Sequence, residues 1–152
     1  MLKLRKNKKG FTLVELIVVI AIMAVLAGTV AGVTVSQLNK QTDNANKTQA
    51  KKVADHIASL IIEGDIYTPT SGENSGKFVL KGEGTTADAP LTAANLKTKV
   101  ATEFPNVIAE AAGKGNITLT VADTSITVTY THKAGTKTTT YTINGEGLVS
   151  GN

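Results

Sequence analysis

Residues 16–35 read Leu-Ile-Val-Val-Ile-Ala-Ile-Met-Ala-Val-Leu-Ala-Gly-Thr-Val-Ala-Gly-Val-Thr-Val, twenty consecutive residues without a charge. At about 1.5 Å rise per residue, a helix of that length matches the roughly 30 Å hydrocarbon core of a bilayer. The apolar region of an ordinary secretory signal is shorter, about 7–15 residues. Small residues at Ala27-Gly28, Ala31-Gly32 and Ser36 still supply a signal-type cleavage pattern, so the run alone leaves a removable signal peptide open.

On the N-terminal side of this run the charge changes abruptly. Lys3, Arg5, Lys6, Lys8 and Lys9 stand in the first nine residues, which contain no acid. Cationic flanks stay preferentially on the cytoplasmic side of a membrane. The pattern therefore predicts residues before Gly10 inside and everything after Val35 outside. Of the 16 basic residues, eleven remain beyond Gly10, against 12 acidic ones, so the basic balance belongs to the N-terminus. A nucleic-acid-binding fold needs a basic patch, and single-strand binders need aromatic platforms. This chain has no Trp and only three Tyr and three Phe, which argues against nucleic acid as the main ligand.

Glu15 interrupts the start of the apolar segment. A carboxylate at a bilayer centre costs about 2.5–3.5 kcal/mol on insertion scales, and less toward the interface. It reads either as an incidental interfacial acid or as a group with a partner in the membrane or in an assembly. Gly28 and Gly32 give a Gly-x-x-x-Gly spacing. That spacing suits close helix packing; equally, each Gly weakens a helix by about 1 kcal/mol relative to Ala.

The junction Lys8-Lys9-Gly10-Phe11-Thr12-Leu13-Val14-Glu15-Leu16 resembles the class III leader junction of type IV pilins, and the likeness covers residues 5 to about 35. The resemblance implies that a prepilin peptidase cuts between Gly10 and Phe11 and methylates the new Phe11 amine. Glu15 then becomes the fifth residue of a mature chain of 142 residues, the full 152 less the ten of the leader. It further implies assembly of the processed chain with copies of itself, with other pilins and with the pilus assembly platform, after residence in the cytoplasmic membrane. In such a polymer the Glu15 carboxylate pairs with a neighbour's Phe11 amine. Many relatives carry Pro where this chain has Gly32, so helix melting near Gly28 and Gly32 is permitted but not forced.

Within that family, Glu15 disfavours the tip-initiating minor class, and the lack of an acidic calcium-type loop weakly disfavours a major pseudopilin. Absence of Cys is compatible with a Gram-positive host and leaves the C-terminal strands to be held by packing alone. The expectation is a major pilin, structural in role, whose filament serves adhesion, surface motility or related functions. The alternatives are a minor pilin, a type II secretion pseudopilin, and a membrane-anchored binding domain that does not polymerise.

The remaining sequence predicts an α+β fold: a long N-terminal helix, half membrane-spanning and half amphipathic, packed on a small C-terminal antiparallel sheet. Segments are expected at 1–10 (leader, removed), 11–35 (transmembrane and assembly helix), 36–64 (helix continuation) and 65–152 (globular head). Residues 36–47 are polar and read as loop or exposed helix. Ala50, Val53, Ala54, Ile57, Leu60 and Ile61 follow a 3.6-residue period, and Gly64 is a natural cap. Residues 65–90 read as loop around a short anchor at Phe78-Val79-Leu80. Thr92 begins a second helix reaching about Glu103, ahead of Pro105.

Three alternating runs follow, with Ile117, Leu119 and Val121, then Ile126, Val128 and Tyr130, then Thr139, Tyr141 and Ile143 on their inner faces. Leu148-Val149 adds an edge. Their outward threonines suit exposed strand faces by propensity, with glycosylation at Asn46-Lys47-Thr48 or Asn116-Ile117-Thr118 as the sharper alternative. His132, beside a turn, reads as solvated. No catalytic, metal or cofactor constellation is apparent, and enzymatic activity is not expected.

Overall fold

No proline occurs before Pro69, so no proline breaks a helix in the first 68 residues. The computed structural model describes residues 10–84 and 86–151. The basic leader residues Lys3, Arg5, Lys6, Lys8 and Lys9 lie outside the described residues. Helix α1 runs from Leu13 to Glu63. The chain separates into two units, with the boundary between Leu38 and Asn39.

In the first unit the helix is long and apolar enough to cross a membrane. Its large side chains, Leu13 through Val35, are exposed in the single chain.

In the second unit, α1 becomes one-sided. Ala50, Val53, Ala54, Ile57, Ala58 and Leu60 are buried, at the spacing that a 3.6-residue period places on one face. Gly64 ends the helix at φ 84°, a left-handed conformation that glycine adopts without a Cβ penalty, and its N–H bonds the Ile61 carbonyl at 3.2 Å.

The partner of that face is a four-stranded antiparallel meander, β4 (Ile117–Val121), β5 (Ser125–Thr131), β6 (Thr138–Asn144) and β7 (Val149–Gly151), in chain order across the sheet. The register pairs Leu119 with Val128, Val128 with Tyr141, and Ile126 with Ile143. This puts the apolar positions of all three long strands on one side, where they join the α1 stripe in one core. The expected outer threonines are partly or fully exposed, as their alternation requires. Leu148 is exposed in the β6–β7 turn, and the fourth strand starts at Val149.

Residues 65–90, expected as loop, hold a second sheet of three two-residue strands: β1 (Ile66–Tyr67), β2 (Val79–Leu80) and β3 (Ala89–Pro90). Strands that short are below the length at which alternation is visible. What fixes them is the burial of Ile66, Phe78, Val79 and Leu91. Pro90, which has no N–H, is accommodated because β3 is an edge. The carboxylate of Asp88 closes the loop by accepting the Tyr67 hydroxyl at 2.6 Å and the Gly82 N–H at 2.8 Å.

Helix α2 (Ala93–Val100) is shorter than expected. Thr92 caps it in a reciprocal box with Asn95. Beyond Val100 the chain continues as turns that still carry Phe104 N–H onto the Val100 carbonyl at 2.9 Å, so Leu96, Val100 and Phe104 reach one core without three more helical residues.

The polar segment 36–47 is helix, and Asp43 gives it a tertiary anchor. Asp43 is buried, 6% exposed, although nothing apolar surrounds it in sequence. Its Oδ1 accepts the Tyr130 hydroxyl and the Lys133 N–H, both at 2.7 Å, and its Oδ2 accepts the Ala134 N–H at 3.3 Å. One carboxylate thus ties α1 to the end of β5 and to the β5–β6 turn. His132 is not a solvated residue: its ring packs on Tyr130 (centroids 5.1 Å apart), its Nε2 lies 2.8 Å from the Thr139 hydroxyl and its Nδ1 lies 3.8 Å from Asp43. Burial disfavours the Asp43 charge. The bonds from Tyr130, Lys133 and Ala134, with His132 nearby, outweigh it and hold the carboxyl below the usual carboxylate range.

Two outcomes follow for the second unit. A chain beginning at Ser36 should be soluble and monomeric, and Ile57→Ala should destabilise it by about 2–5 kcal/mol through the cavity left in the core, read from urea unfolding. Because the folded carboxyl of Asp43 is depressed, its contribution is complete above the unfolded value of about 3.9 and is lost as pH falls through the lower, folded value. The stability gap between wild type and Asp43→Asn should therefore be present at neutral pH and close in strong acid. A gap independent of pH down to denaturation would contradict this account of the carboxylate.

Candidate processing and assembly site

Gly10, Phe11 and Thr12 are non-helical, and α1 begins at the next residue. The helix starts where it does because Thr12-Leu13-Val14-Glu15 is a capping box. The Glu15 N–H donates to the Thr12 Oγ1 at 3.3 Å, and Glu15 Oε2 receives the Thr12 N–H at 2.9 Å and the Thr12 hydroxyl at 2.8 Å. Two backbone donors that would otherwise be orphaned at the helix start are satisfied within four residues. Both contacts of the carboxylate use one oxygen, Oε2, and among the described residues Oε1 has no hydrogen bond.

The Gly10–Phe11 peptide bond therefore lies in open backbone just before the cap. Phe11 is 90% exposed. A Cβ built on Gly10 meets no described atom within 4 Å. Among the described residues, nothing in contact with position 10 demands glycine there. Gly10 and Phe11 precede the first helical turn, which carries Glu15.

Gly28 and Gly32 lie further along the same helix, which continues unbroken through both. Each faces open space, so neither is required by a contact among the described residues. The hydroxyls of Thr29 and Thr34, polar groups in an apolar stretch, donate to the carbonyls of Leu26 and Val30 at 2.9 and 2.8 Å. They carry no unmet polar demand into a low-dielectric surrounding. A shallow groove of about 320 Å³ on this helix is lined by Ala21, Ile22, Val25 and Leu26, all aliphatic.

Thr12 carried no assigned role in the sequence, although Thr-x-x-Glu before an apolar run is a recognised helix-start pattern.

The prokaryotic N-terminal methylation motif matches residues 5–31, which spans the Gly10–Phe11 bond, Glu15 and Gly28. Comparison with curated proteins and with solved structures gives no match. The matched segment is that of a type IV pilin-like prepilin, a precursor of the pilin or pseudopilin kind, and implies processing by a prepilin peptidase.

Because no described contact constrains Gly10, replacing it should disturb the processing step alone. Gly10→Val should leave α1 and the head intact while more than nine-tenths of the protein retains its ten-residue leader, as read by intact mass of the membrane fraction. Normal-size mature Gly10→Val protein would show that cleavage occurs elsewhere.

Proposed function

We propose that the chain is the structural subunit of a type IV pilus. Prepilin peptidase cleaves after Gly10 and methylates Phe11. The segment 11–35 holds the precursor in the cytoplasmic membrane, leader inside and head outside. The assembly platform then draws processed subunits into an extracellular filament that serves adhesion, surface motility or related surface functions.

The observation that carries this reading is the bare apolar surface that begins within the matched motif and runs on past it. Fourteen large apolar side chains from Leu13 to Val35 are exposed. Even at about 1.5 kcal/mol each, covering them is worth on the order of 20 kcal/mol, more than the roughly 5–15 kcal/mol that keeps an ordinary domain folded. A bilayer covers them in the precursor, and a bundle of like helices covers them in a filament. Gly28 and Gly32, open on the helix surface, admit close approach of a neighbouring helix.

Cleavage removes five positive charges and creates one amine beside the cap. Glu15 Oε2 is already engaged by Thr12, leaving Oε1 for the Phe11 amine of an adjacent subunit. In a low-dielectric bundle an unpaired charge is expensive, so the pair favours one axial register.

Glu15→Ala should leave membrane insertion and processing intact and reduce filament yield more than tenfold, since breaking a buried pair costs about 3–5 kcal/mol. Glu15→Gln keeps an acceptor for the Thr12 N–H but not the charge, and should also fail to assemble. The comparison is surface filament against processed protein in the membrane. Wild-type yields from both variants would remove the electrostatic step.

A further inference from the structure

The lysines of the second unit are unevenly placed. Side-chain charge there is balanced, eleven lysines against eleven carboxylates. Five of those lysines, Lys40, Lys47, Lys114, Lys133 and Lys137, belong to one end of the fold, the end at which the chain arrives from Leu38. Lys40 and Lys47 lie one helical turn either side of Asp43. Lys133 is held to Asp43 through its own N–H, and its aliphatic stem lies against Gly115, next to Lys114. Lys137 closes the same turn, its carbonyl accepting the His132 N–H at 2.9 Å.

All five are exposed, and among the described residues none is in an ion pair. By contrast Lys51, Lys97 and Lys99 are paired with Asp55, with Glu110, and with Asp65 and Glu83 respectively. Among the described residues, the one side-chain carboxylate in contact with this end, Asp43, is buried and occupied by three donors. The end is therefore a cationic collar of five lysines against one enclosed acid, while the rest of the unit carries six lysines against ten carboxylates.

We infer that this collar docks the head on an anionic membrane surface while the precursor is still anchored. The inference rests on the membrane span of the proposed function. If that span ends at Val35, Lys40 follows after five residues, at most about 18 Å of fully extended chain. Connectivity alone keeps this end within reach of the headgroup layer, whatever the angle between the two units. The residue type agrees: every basic residue of the head is Lys, and the only Arg is Arg5 in the leader. Lysine is a point charge suited to a diffuse anionic layer, whereas guanidinium suits bidentate recognition of a single group. A lysine near an anionic surface favours contact by about fivefold, an effect that falls off within a Debye length. Docking would hold the subunit at the membrane until assembly removes it.

The test places the full-length chain in nanodiscs of phosphatidylcholine, with or without phosphatidylglycerol, and reads lysine acylation by mass spectrometry. Lys77 and Lys81 are internal controls. Phosphatidylglycerol should slow labelling of Lys114, Lys133 and Lys137 by about fivefold or more at low salt, leave the controls unchanged, and lose its effect at high salt. The triple variant Lys114→Gln, Lys133→Gln, Lys137→Gln should lose the lipid-dependent protection of Lys40 and Lys47. Equal labelling in both discs overturns the inference while leaving the anchor standing. Failure to enter either disc overturns both. Protection by added duplex DNA in place of lipid assigns the collar to nucleic acid, and protection in neutral discs that rises with protein concentration assigns it to the acidic surface of a second head. Either result refutes membrane docking.

Discussion

A helix surface that cannot remain in water governs this molecule. From Leu13 to Val35 the chain offers large aliphatic side chains on every side, with no charge after Glu15 and no fold of its own to cover them. A soluble helix would need one polar face. The physical solutions are lipid or other helices, and the proposed function uses the two in turn. A capping box gives the helix a defined start, threonine hydroxyls are turned back onto the backbone, and glycines leave openings where another helix can approach.

The second unit answers a different demand with the same helix. Once α1 becomes amphipathic, its stripe of Ala50, Val53, Ala54 and Ile57 needs a cover, and the β4–β7 meander supplies it through Ile126, Val128, Tyr130 and Ile143. Aliphatic contact does not by itself fix where the sheet sits along the helix. Asp43 does that at one end, by accepting bonds from Tyr130 and from the β5–β6 turn. A misplaced turn would leave a buried carboxylate unpaired, which is far costlier than a small slip of apolar side chains. With no Cys in the chain, this polar clamp and the core hold the sheet without a disulfide.

The long helix, its amphipathic second half, the Gly64 stop and the three main strands were legible because each spans enough residues for periodicity to declare itself. The β1–β3 sheet was not, since two-residue strands have no period and are fixed by burial of Ile66, Phe78 and Leu91 against the rest of the head. Helix α2 ended at Val100 rather than near Glu103 because a turn kept Phe104 in place without further helix. Asp43 and His132 were invisible for a related reason. Their partners are some ninety residues away in sequence or depend on how a turn folds back, and local polarity reads as solvent exposure. At the processing junction the order was reversed: Gly10, Phe11 and Glu15 stood out by the break from charged to apolar, while Thr12, part of the same pattern, gained its meaning from hydrogen bonds.

The central claim is that the bond between Gly10 and Phe11 is where a basic, membrane-held precursor becomes a subunit able to assemble. The most direct measurement is the intact mass, with fragmentation of the N-terminus, of the protein recovered from the cell surface. The account predicts a chain that begins at Phe11 and carries one methyl group on its amine. A chain that begins at Met1, or after the small residues between Ala27 and Ser36 as signal peptidase would leave it, would contradict the account.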